Sequence, residues 1–347
     1  MRSHAVDLDQ TRKRSSFEFD HDQGPGGSRQ IVWNRLIRSA RPSVRCPADG
    51  RHARSGSRRQ RTAGVLTDRR NDNMRDVMVY ARRYDSWSGG IEYAADLTAR
   101  IDGALTGVFV HPSPLYMMPP YASGDAIQAI FETARDAEQS AHAAAGSFTA
   151  WAKRMGVRSA SWQVAEGRAP ETLGHIGNWH DLLVLERDRE SPWASPADLG
   201  ALVLGSRMPC IVAPASTRNA SLGCIAIAWN GSAEAVRAVH AALPLLSHAS
   251  SVILLDGARR APEIEAGWLP PFDIHDYLAR HGVGSNAKGI TASDENAGKA
   301  LLSACAEVGA DLLVMGAYGR NRFSEWAFGG ATRTVLQEAT LPVFMRN

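Results

Sequence analysis

Short apolar runs alternate with longer segments of helical periodicity from residue 76 onward, and the alternation occurs twice. In the first copy, the predicted strands are 77–81, 105–110, 159–164, 181–185 and 209–213, and helical periodicity covers 91–101 and 125–155. In the second copy, the predicted strands are 224–228, 251–255, 288–291, 311–315 and 342–345, with helices at 233–246, 276–280, 295–308 and 332–338. Strands that alternate with helices predict parallel sheets covered by helices, so we expect an α/β fold with two five-stranded sheets.

The repeat is also visible in the amino acids themselves. The run Asp181-Leu-Leu-Val-Leu-Glu186 aligns with Asp311-Leu-Leu-Val-Met-Gly316, and Met208-Pro-Cys-Ile-Val212 aligns with Leu341-Pro-Val-Phe-Met345. Each proline opens a predicted strand, where its missing N–H is tolerated. The sequence therefore predicts two related domains, 74–215 and 221–347, joined by a polar linker.

The first 73 residues have a different composition from the rest. They hold 16 Lys and Arg against 8 Asp and Glu, which leaves 23 and 28 for the remainder, so the two domains are mildly acidic and do not indicate a nucleic-acid-binding surface. No sustained apolar period runs through this stretch, and we expect a disordered basic extension. Two interpretations stay open: a functional tail, or an upstream extension from a misplaced start, since Met74 immediately precedes the first strand.

Bulk composition narrows the class of protein. Hydrophobic content of 44%, charged content of 22% and a mean hydropathy of −0.24 are typical of globular domains, and no apolar run is long enough to cross a bilayer. The four cysteines have no CxxC or metal-ligand spacing, which favours a reducing compartment. We expect a soluble cytoplasmic protein with no membrane or nucleic-acid partner.

A glycine-rich segment follows the predicted strand 311–315. Gly316 and Gly319 suit the turn after the strand, and after nine intervening residues Gly329 and Gly330 lead through Ala331 into a helix at Thr332. Glycines let backbone N–H groups approach a phosphate chain without a Cβ in the way, and a helix N-terminus adds a favourable dipole. A turn glycine has a backbone role more often than a ligand role, so the spacing is what carries weight here.

The Gly-x2-Gly-x9-Gly spacing resembles the ATP-binding signature of the universal stress protein family, in its tandem two-domain bacterial type. The resemblance implies two Rossmann-like domains of the adenine nucleotide alpha hydrolase-like kind, with ATP, accompanied by Mg²⁺, as the cofactor. It implies that Ala228, Gly257 and Met315 line the adenosine side. The full nucleotide-binding set implied by it is Ala228, Asn230, Gly257, Met315, Gly316, Gly319, Arg320, Gly329, Gly330, Ala331 and Thr332.

Two positions depart from the family pattern. Gly330 stands where the family has Ser or Thr, which removes one phosphate-facing hydroxyl, although Thr332 keeps a hydroxyl two positions later. Asn230 stands where the family has an adenine-side carboxylate; it could hydrogen-bond a base or ribose, or serve as a turn residue before a helix cap at Ser232.

The first copy has Glu186-Arg187-Asp188-Arg189-Glu190 where the glycine motif should begin. Acidic side chains there would repel phosphate, so we expect residues 74–215 to act as a structural partner without ATP. Because family dimers pair through their last strands, the resemblance implies an intramolecular pseudo-dimer, with a further homodimer left open.

Three functions are consistent with these features. No HExxH, GxSxG or P-loop motif occurs, so the leading one is a stress-response protein that binds or senses an adenine nucleotide without efficient catalysis, and is therefore not an enzyme. The alternatives are a slow Mg²⁺-dependent ATP hydrolase and an interaction scaffold that binds no nucleotide.

Overall fold

The computed structural model describes residues 74–87, 89–188, 195–257, 272–291, 296–317 and 330–347, all within the compact unit Leu66–Asn347. The predicted basic extension, residues 1–73, lies outside the described residues. The strands are β1 (Asp76–Ala81), β2 (Ala104–His111), β3 (Ser159–Glu166), β4 (Leu182–Arg187), β5 (Cys210–Pro214), β6 (Cys224–Trp229), β7 (Ser251–Asp256), β8 (Asn286–Gly289), β9 (Leu312–Gly316) and β10 (Val343–Arg346). The helices are α1 (Gly90–Arg100), α2 (Pro114–Met117), α3 (Gly124–Ala143), α4 (Ala145–Arg154), α5 (Ala169–Ile176), α6 (Pro196–Ser206), α7 (Ala233–Leu246), α8 (Ile274–Arg280), α9 (Ala297–Glu307) and α10 (Gly330–Glu338).

These strands form one sheet in the order β3-β2-β1-β4-β5-β10-β9-β6-β7-β8. The first five strands are mutually parallel, and so are the last five. The two sets meet where β5 and β10 pair in antiparallel fashion, with Phe344 opposite Ile211. The arrangement confirms the predicted α/β class and the two parallel sets of five strands, but the sets are joined edge to edge in one sheet instead of forming two separate sheets.

The repeated Asp-Leu-Leu-Val letters have the same structural role in both halves. Asp181 Oδ2 accepts the backbone N–H of Asp76 at 3.0 Å, and Asp311 Oδ2 accepts the backbone N–H of Cys224 at 2.8 Å. Each aspartate therefore ties the start of one central strand to the start of its neighbour. The leucine and valine residues that follow are buried on both faces, as expected for strands covered by helices on either side.

Both faces of the sheet carry continuous apolar cores. One core holds Val77, Leu182 and Ile211 of the first half together with Phe344 and Leu312 of the second half. The opposite core includes Met78, Leu183 and Val212 from the first half and Val343 and Leu313 from the second. Because each core continues across the β5–β10 junction, the two halves share their apolar interior.

The prediction of one helix over 125–155 is wrong, because α3 and α4 are separated at Ala144. The Trp162 indole N–H donates to the Ala141 carbonyl at 2.8 Å, and the Ala144 N–H also reaches that carbonyl, at 3.3 Å. Both donors compete with the i→i+4 bond that would have continued the helix. The bounds of β8 also differ from the prediction: the sequence predicts a strand at 288–291, and the structure has β8 at Asn286–Gly289.

The short helix α2 has no counterpart in the sequence prediction. It begins with Pro114 directly after Ser113, a position where proline is well tolerated. Among the described residues, no helix is both long and apolar enough to cross a membrane.

Candidate functional site

The carboxyl ends of three neighbouring strands, β6, β7 and β9, bring several predicted site residues together. Ala228 is the next-to-last residue of β6, Gly257 directly follows β7, and Gly316 ends β9. The Gly257 N–H donates to the Trp229 carbonyl at 2.9 Å, which joins the ends of β6 and β7. In parallel α/β sheets this edge is where ligands bind.

Asn230 forms the turn that leads from β6 into α7. Its Oδ1 accepts the backbone N–H of Ser232 at 3.1 Å, and Ser232 Oγ in turn accepts the N–H of Ala235 at 3.2 Å as the helix cap. Gly231, between them, has φ 71°, a left-handed conformation that favours glycine. The turn role is therefore observed, and the carbonyl oxygen of the Asn230 side chain is used within it.

Two predicted glycines differ in what surrounds them. A Cβ on Gly316 would lie 2.6 Å from Glu234 Cβ and 2.7 Å from the Ala235 nitrogen, so glycine lets the first turn of α7 rest on the strand end. A Cβ on Gly257 would lie 3.6 Å from the Trp229 carbonyl oxygen, which is an ordinary contact. Packing therefore requires a glycine at position 316, whereas at position 257 the described residues leave room for a Cβ.

The remaining predicted residues lie deeper or outside the described residues. Met315 is 5% exposed within the core, and Thr332 is 6% exposed in the first turn of α10. That turn packs on α9, since a Cβ on Gly298 would lie 3.0 Å from the Ala331 carbonyl oxygen. Gly330 is exposed at the start of α10. Three members of the glycine motif lie outside the described residues: Gly319, Arg320 and Gly329.

Asp256 is a candidate site residue that the sequence prediction did not include. It ends β7 immediately before Gly257, and its backbone carbonyl accepts the Ile290 N–H at 2.8 Å. Within the part of the chain that the structure describes, its Oδ1 is one of three buried side-chain oxygen or nitrogen atoms without a hydrogen-bond partner. A buried carboxylate oxygen is costly to leave unpaired and is ready to accept a hydrogen bond from a ligand. The sequence signal was an acidic residue at the carboxyl end of an apolar strand.

Comparison with protein families matches residues 225–345, which carry this site, to the universal stress protein family. We refer to residues 225–345 below as the universal stress protein domain, after the family that they match. The match confirms the family resemblance that the glycine spacing indicated.

One solved structure extends the likeness in fold beyond the matched segment. A universal stress protein from Archaeoglobus fulgidus DSM 4304 is 15% identical, has a TM-score of 0.56, and the alignment covers 79% of this chain and 97% of that one. A functionally unknown protein from Pseudomonas aeruginosa PAO1 is 14% identical, with a TM-score of 0.47 and coverage of 80% and 94%. A comparison with curated protein sequences found no match.

The first half carries a carboxylate where the universal stress protein domain carries Gly316. Glu186 Oε2 accepts the backbone N–H of Gly90, in the first turn of α1, at 2.6 Å. Burial raises the pKa of this carboxyl group above its ordinary value, while the Gly90 hydrogen bond opposes that rise. The side chain therefore occupies a helix N-terminus that could otherwise attract an anion.

The two halves differ in which element supplies the glycine at the contact between strand end and helix start: the helix supplies it in the first half and the strand in the second. In the first half a Cβ on Gly90 would lie 2.8 Å from Glu186 Cβ, whereas in the universal stress protein domain the glycine at the contact is Gly316, on the strand. Both arrangements let a helix start rest closely on a strand end. The exchange frees position 186 to carry a side chain.

The next residue, Arg187, connects the first half to the universal stress protein domain. Its guanidinium is buried and donates to the backbone carbonyls of Leu336, at 3.0 Å, and Ala339 at the C-terminal end of α10. Cationic side chains are favourable at this end of a helix because the last carbonyls are unpaired and the dipole is negative there. Helix α10 is the helix whose other end begins with Gly330.

Proposed function

We propose that this chain is a universal stress protein that binds an adenine nucleotide at the carboxyl ends of β6, β7 and β9, and signals its occupancy without efficient turnover. The observation that carries the proposal is the unpaired, buried Oδ1 of Asp256, which lies beside Gly257 in a domain of this family. An acceptor without a donor at a ligand-binding edge suits the hydroxyl groups of a ribose or the amino group of adenine.

The surroundings of Asp256 support a flat, uncharged part of the ligand at this place. Position 257 presents no Cβ, and Ala228 presents only a methyl group at the end of the neighbouring strand. A negatively charged Asp256 would disfavour phosphate close by, so the phosphates are assigned to the start of α10, whose N–H groups and dipole suit an anion. Mg²⁺ would enter with those phosphates.

The first test is whether purified full-length protein carries a nucleotide. We expect adenine nucleotide to be released on denaturation, and MgATP to bind the nucleotide-free protein in isothermal titration calorimetry. Absence of nucleotide together with no measurable heat of binding, from protein that is folded by circular dichroism, contradicts the proposal. Turnover of MgATP by the same protein would favour the hydrolase alternative.

One substitution and its control test whether the nucleotide binds at the carboxyl ends of β6, β7 and β9. Gly257→Val adds a branched side chain at a position where a Cβ makes only an ordinary contact, so we expect the fold to persist while ATP affinity falls at least about tenfold. Gly284→Val is the matched control, because a Cβ at Gly284 has nothing within 4 Å. Gly284 precedes β8 and therefore lies at the amino ends of these parallel strands, away from the carboxyl ends where the site is proposed. Equal ATP affinity in the Gly257→Val and Gly284→Val variants would show that position 257 does not contact the nucleotide.

Asp256→Ala separates ligand binding from stability. Since Oδ1 has no hydrogen-bond partner among the described residues, removing it should not lower the unfolding midpoint, whereas loss of a hydrogen bond from the nucleotide should weaken binding by about tenfold. A variant that loses stability but keeps ATP affinity would show that Asp256 has a structural role instead.

A further inference from the structure

Exposed apolar side chains are concentrated in one short part of the first half. Seven large hydrophobic residues are exposed in the described part of the chain, and five of them fall between residues 115 and 131. These five, which we call the α2–α3 surface, are Leu115, Tyr116, Met117, Tyr121 and Phe131. Their exposed fractions run from 43% for Phe131 to 99% for Tyr121. Clustered apolar exposure of this kind marks interaction sites.

A cavity of about 380 Å³ opens beside this surface, between α2, α3 and the carboxyl ends of β2 and β3. Its apolar lining includes Leu115 and Phe131. Its polar lining includes His111, which is 8% exposed at the end of β2, and Glu166 at the end of β3. A space of this size accepts an aromatic or aliphatic anchor side chain from a partner.

The charge around the cavity selects the kind of partner. Helix α3 contains the acidic residues Asp125, Glu132, Asp136 and Glu138 and one arginine, Arg135. Glu132, Glu138 and Arg135 line the cavity, where Glu166 adds a third carboxylate. A second copy of this chain that docked through its own α2–α3 surface would bring like charges together, and an anionic lipid or nucleic acid would be repelled. A basic partner is complementary.

The shape of the surface agrees with a helical partner. On α3, Ile127, Ile130, Ala134 and Ala137 form a half-buried stripe with helical spacing, and Phe131 stands exposed beside it. The exposed side chain of Met117, at the end of α2, is flexible and adapts readily to an apolar ligand face. An amphipathic helix laid in an apolar groove is a recurring mode of recognition.

We propose that the α2–α3 surface docks a basic amphipathic helix of a partner protein. An apolar anchor of that helix enters the cavity between Leu115 and Phe131, and its Lys and Arg residues face the carboxylates of Glu132, Glu138 and Glu166. The inference concerns the first half and does not depend on nucleotide binding.

The test uses full-length protein and a fluorescent synthetic peptide of about 18 residues, with Leu and Phe at helical spacing on one face and Lys and Arg on the other. Two matched peptides are its scrambled version and a version with Glu in place of each basic residue. In fluorescence anisotropy we expect saturable binding of the basic peptide alone, weakened by added salt.

Three protein variants locate the binding. Leu115→Ser with Phe131→Ser should weaken binding of the basic peptide at least about tenfold by removing apolar contacts. Glu132→Lys with Glu138→Lys should weaken it to a similar degree of about tenfold and flatten its salt dependence. Trp179→Ser is the control, since Trp179 is 84% exposed outside the α2–α3 surface, and it should bind like the wild type.

Two outcomes overturn the proposal. One is a basic peptide that binds no better than its scrambled version, or equally to all variants. The other is a homodimer, seen by size-exclusion chromatography with light scattering, that Leu115→Ser with Phe131→Ser dissociates, because a second copy would then be the occupant.

Discussion

Replacing Glu186 tests whether its carboxylate, at the end of β4, stabilises the N-terminus of α1 by accepting the Gly90 N–H. Glu186→Ala removes the acceptor of the Gly90 N–H, a 2.6 Å hydrogen bond at a partly exposed helix start. Loss of a helix N-cap costs about 0.5–2 kcal/mol, and the partial exposure of this site points to about 1 kcal/mol. We therefore expect a lower free energy of unfolding for Glu186→Ala, read from the urea midpoint by tryptophan fluorescence.

Glu186→Gln distinguishes the hydrogen bond from the charge. Glutamine keeps an oxygen that can accept the Gly90 N–H but removes the ionisable group, whose pKa is raised mainly by burial. A carboxyl whose pKa is higher in the folded than in the unfolded protein stabilises the fold below its unfolded pKa, and this contribution is lost as pH rises through the folded pKa. Near neutral pH, Glu186→Gln should therefore equal or exceed the wild type in stability.

The pH dependence gives the sharpest measurement. Starting near pH 7 and descending toward the ordinary carboxyl value of 4.5, wild type should gain stability relative to Glu186→Gln. The reasoning is refuted if wild type loses stability relative to Glu186→Gln over this range. It is also refuted if Glu186→Ala unfolds at the same urea concentration as wild type, since no capping bond would then be stabilising α1.

Three further substitutions test contacts between distant parts of the chain. Gly90→Ala should destabilise by about 1–3 kcal/mol because its Cβ would meet Glu186 Cβ at 2.8 Å, and the penalty should shrink in a Glu186→Gly background, measured as a double-mutant cycle. Arg187→Met keeps an unbranched apolar stem but loses the donors to the end of α10, and should cost about 2–3 kcal/mol in urea unfolding. Trp162→Phe releases the Ala141 carbonyl, so we expect slower amide exchange where α3 meets α4; unchanged exchange would contradict our account of the break.

The alternation of apolar runs and helical periods was sufficient to predict the fold class and the strand positions within a few residues. Parallel strands buried on both faces are nearly continuous apolar runs, and such runs are visible in a single sequence. The break at Ala144 was not predictable in this way, because it depends on the indole of Trp162, which lies 21 residues beyond the Ala141 carbonyl that accepts its hydrogen bond. Local pattern favoured one long helix there, and a contact with β3 interrupts it.

The candidate site was only partly predictable for the same reason. The turn at Asn230 is local and was among the alternatives considered, but the unpaired oxygen of Asp256 depends on what surrounds it in the fold. Likewise, the acidic residues that begin with Glu186 suggested repulsion of phosphate from the sequence alone. The hydrogen bond of Glu186 with Gly90 was not predictable, because it joins residues 96 positions apart. Which backbone group a side chain meets at that distance is decided by topology.

The antiparallel junction of β5 and β10 reverses the direction of every strand beyond it. Consequently the carboxyl ends of β2 and β3, beside the cavity, and those of β6, β7 and β9, beside Asp256, lie on opposite margins of the same sheet. A helix docked at one margin and a small ligand held at the other would not compete for space, so the protein could carry both at once. Communication between them would have to cross the sheet, and Arg187, which anchors the end of α10 from the first half, offers a physical route.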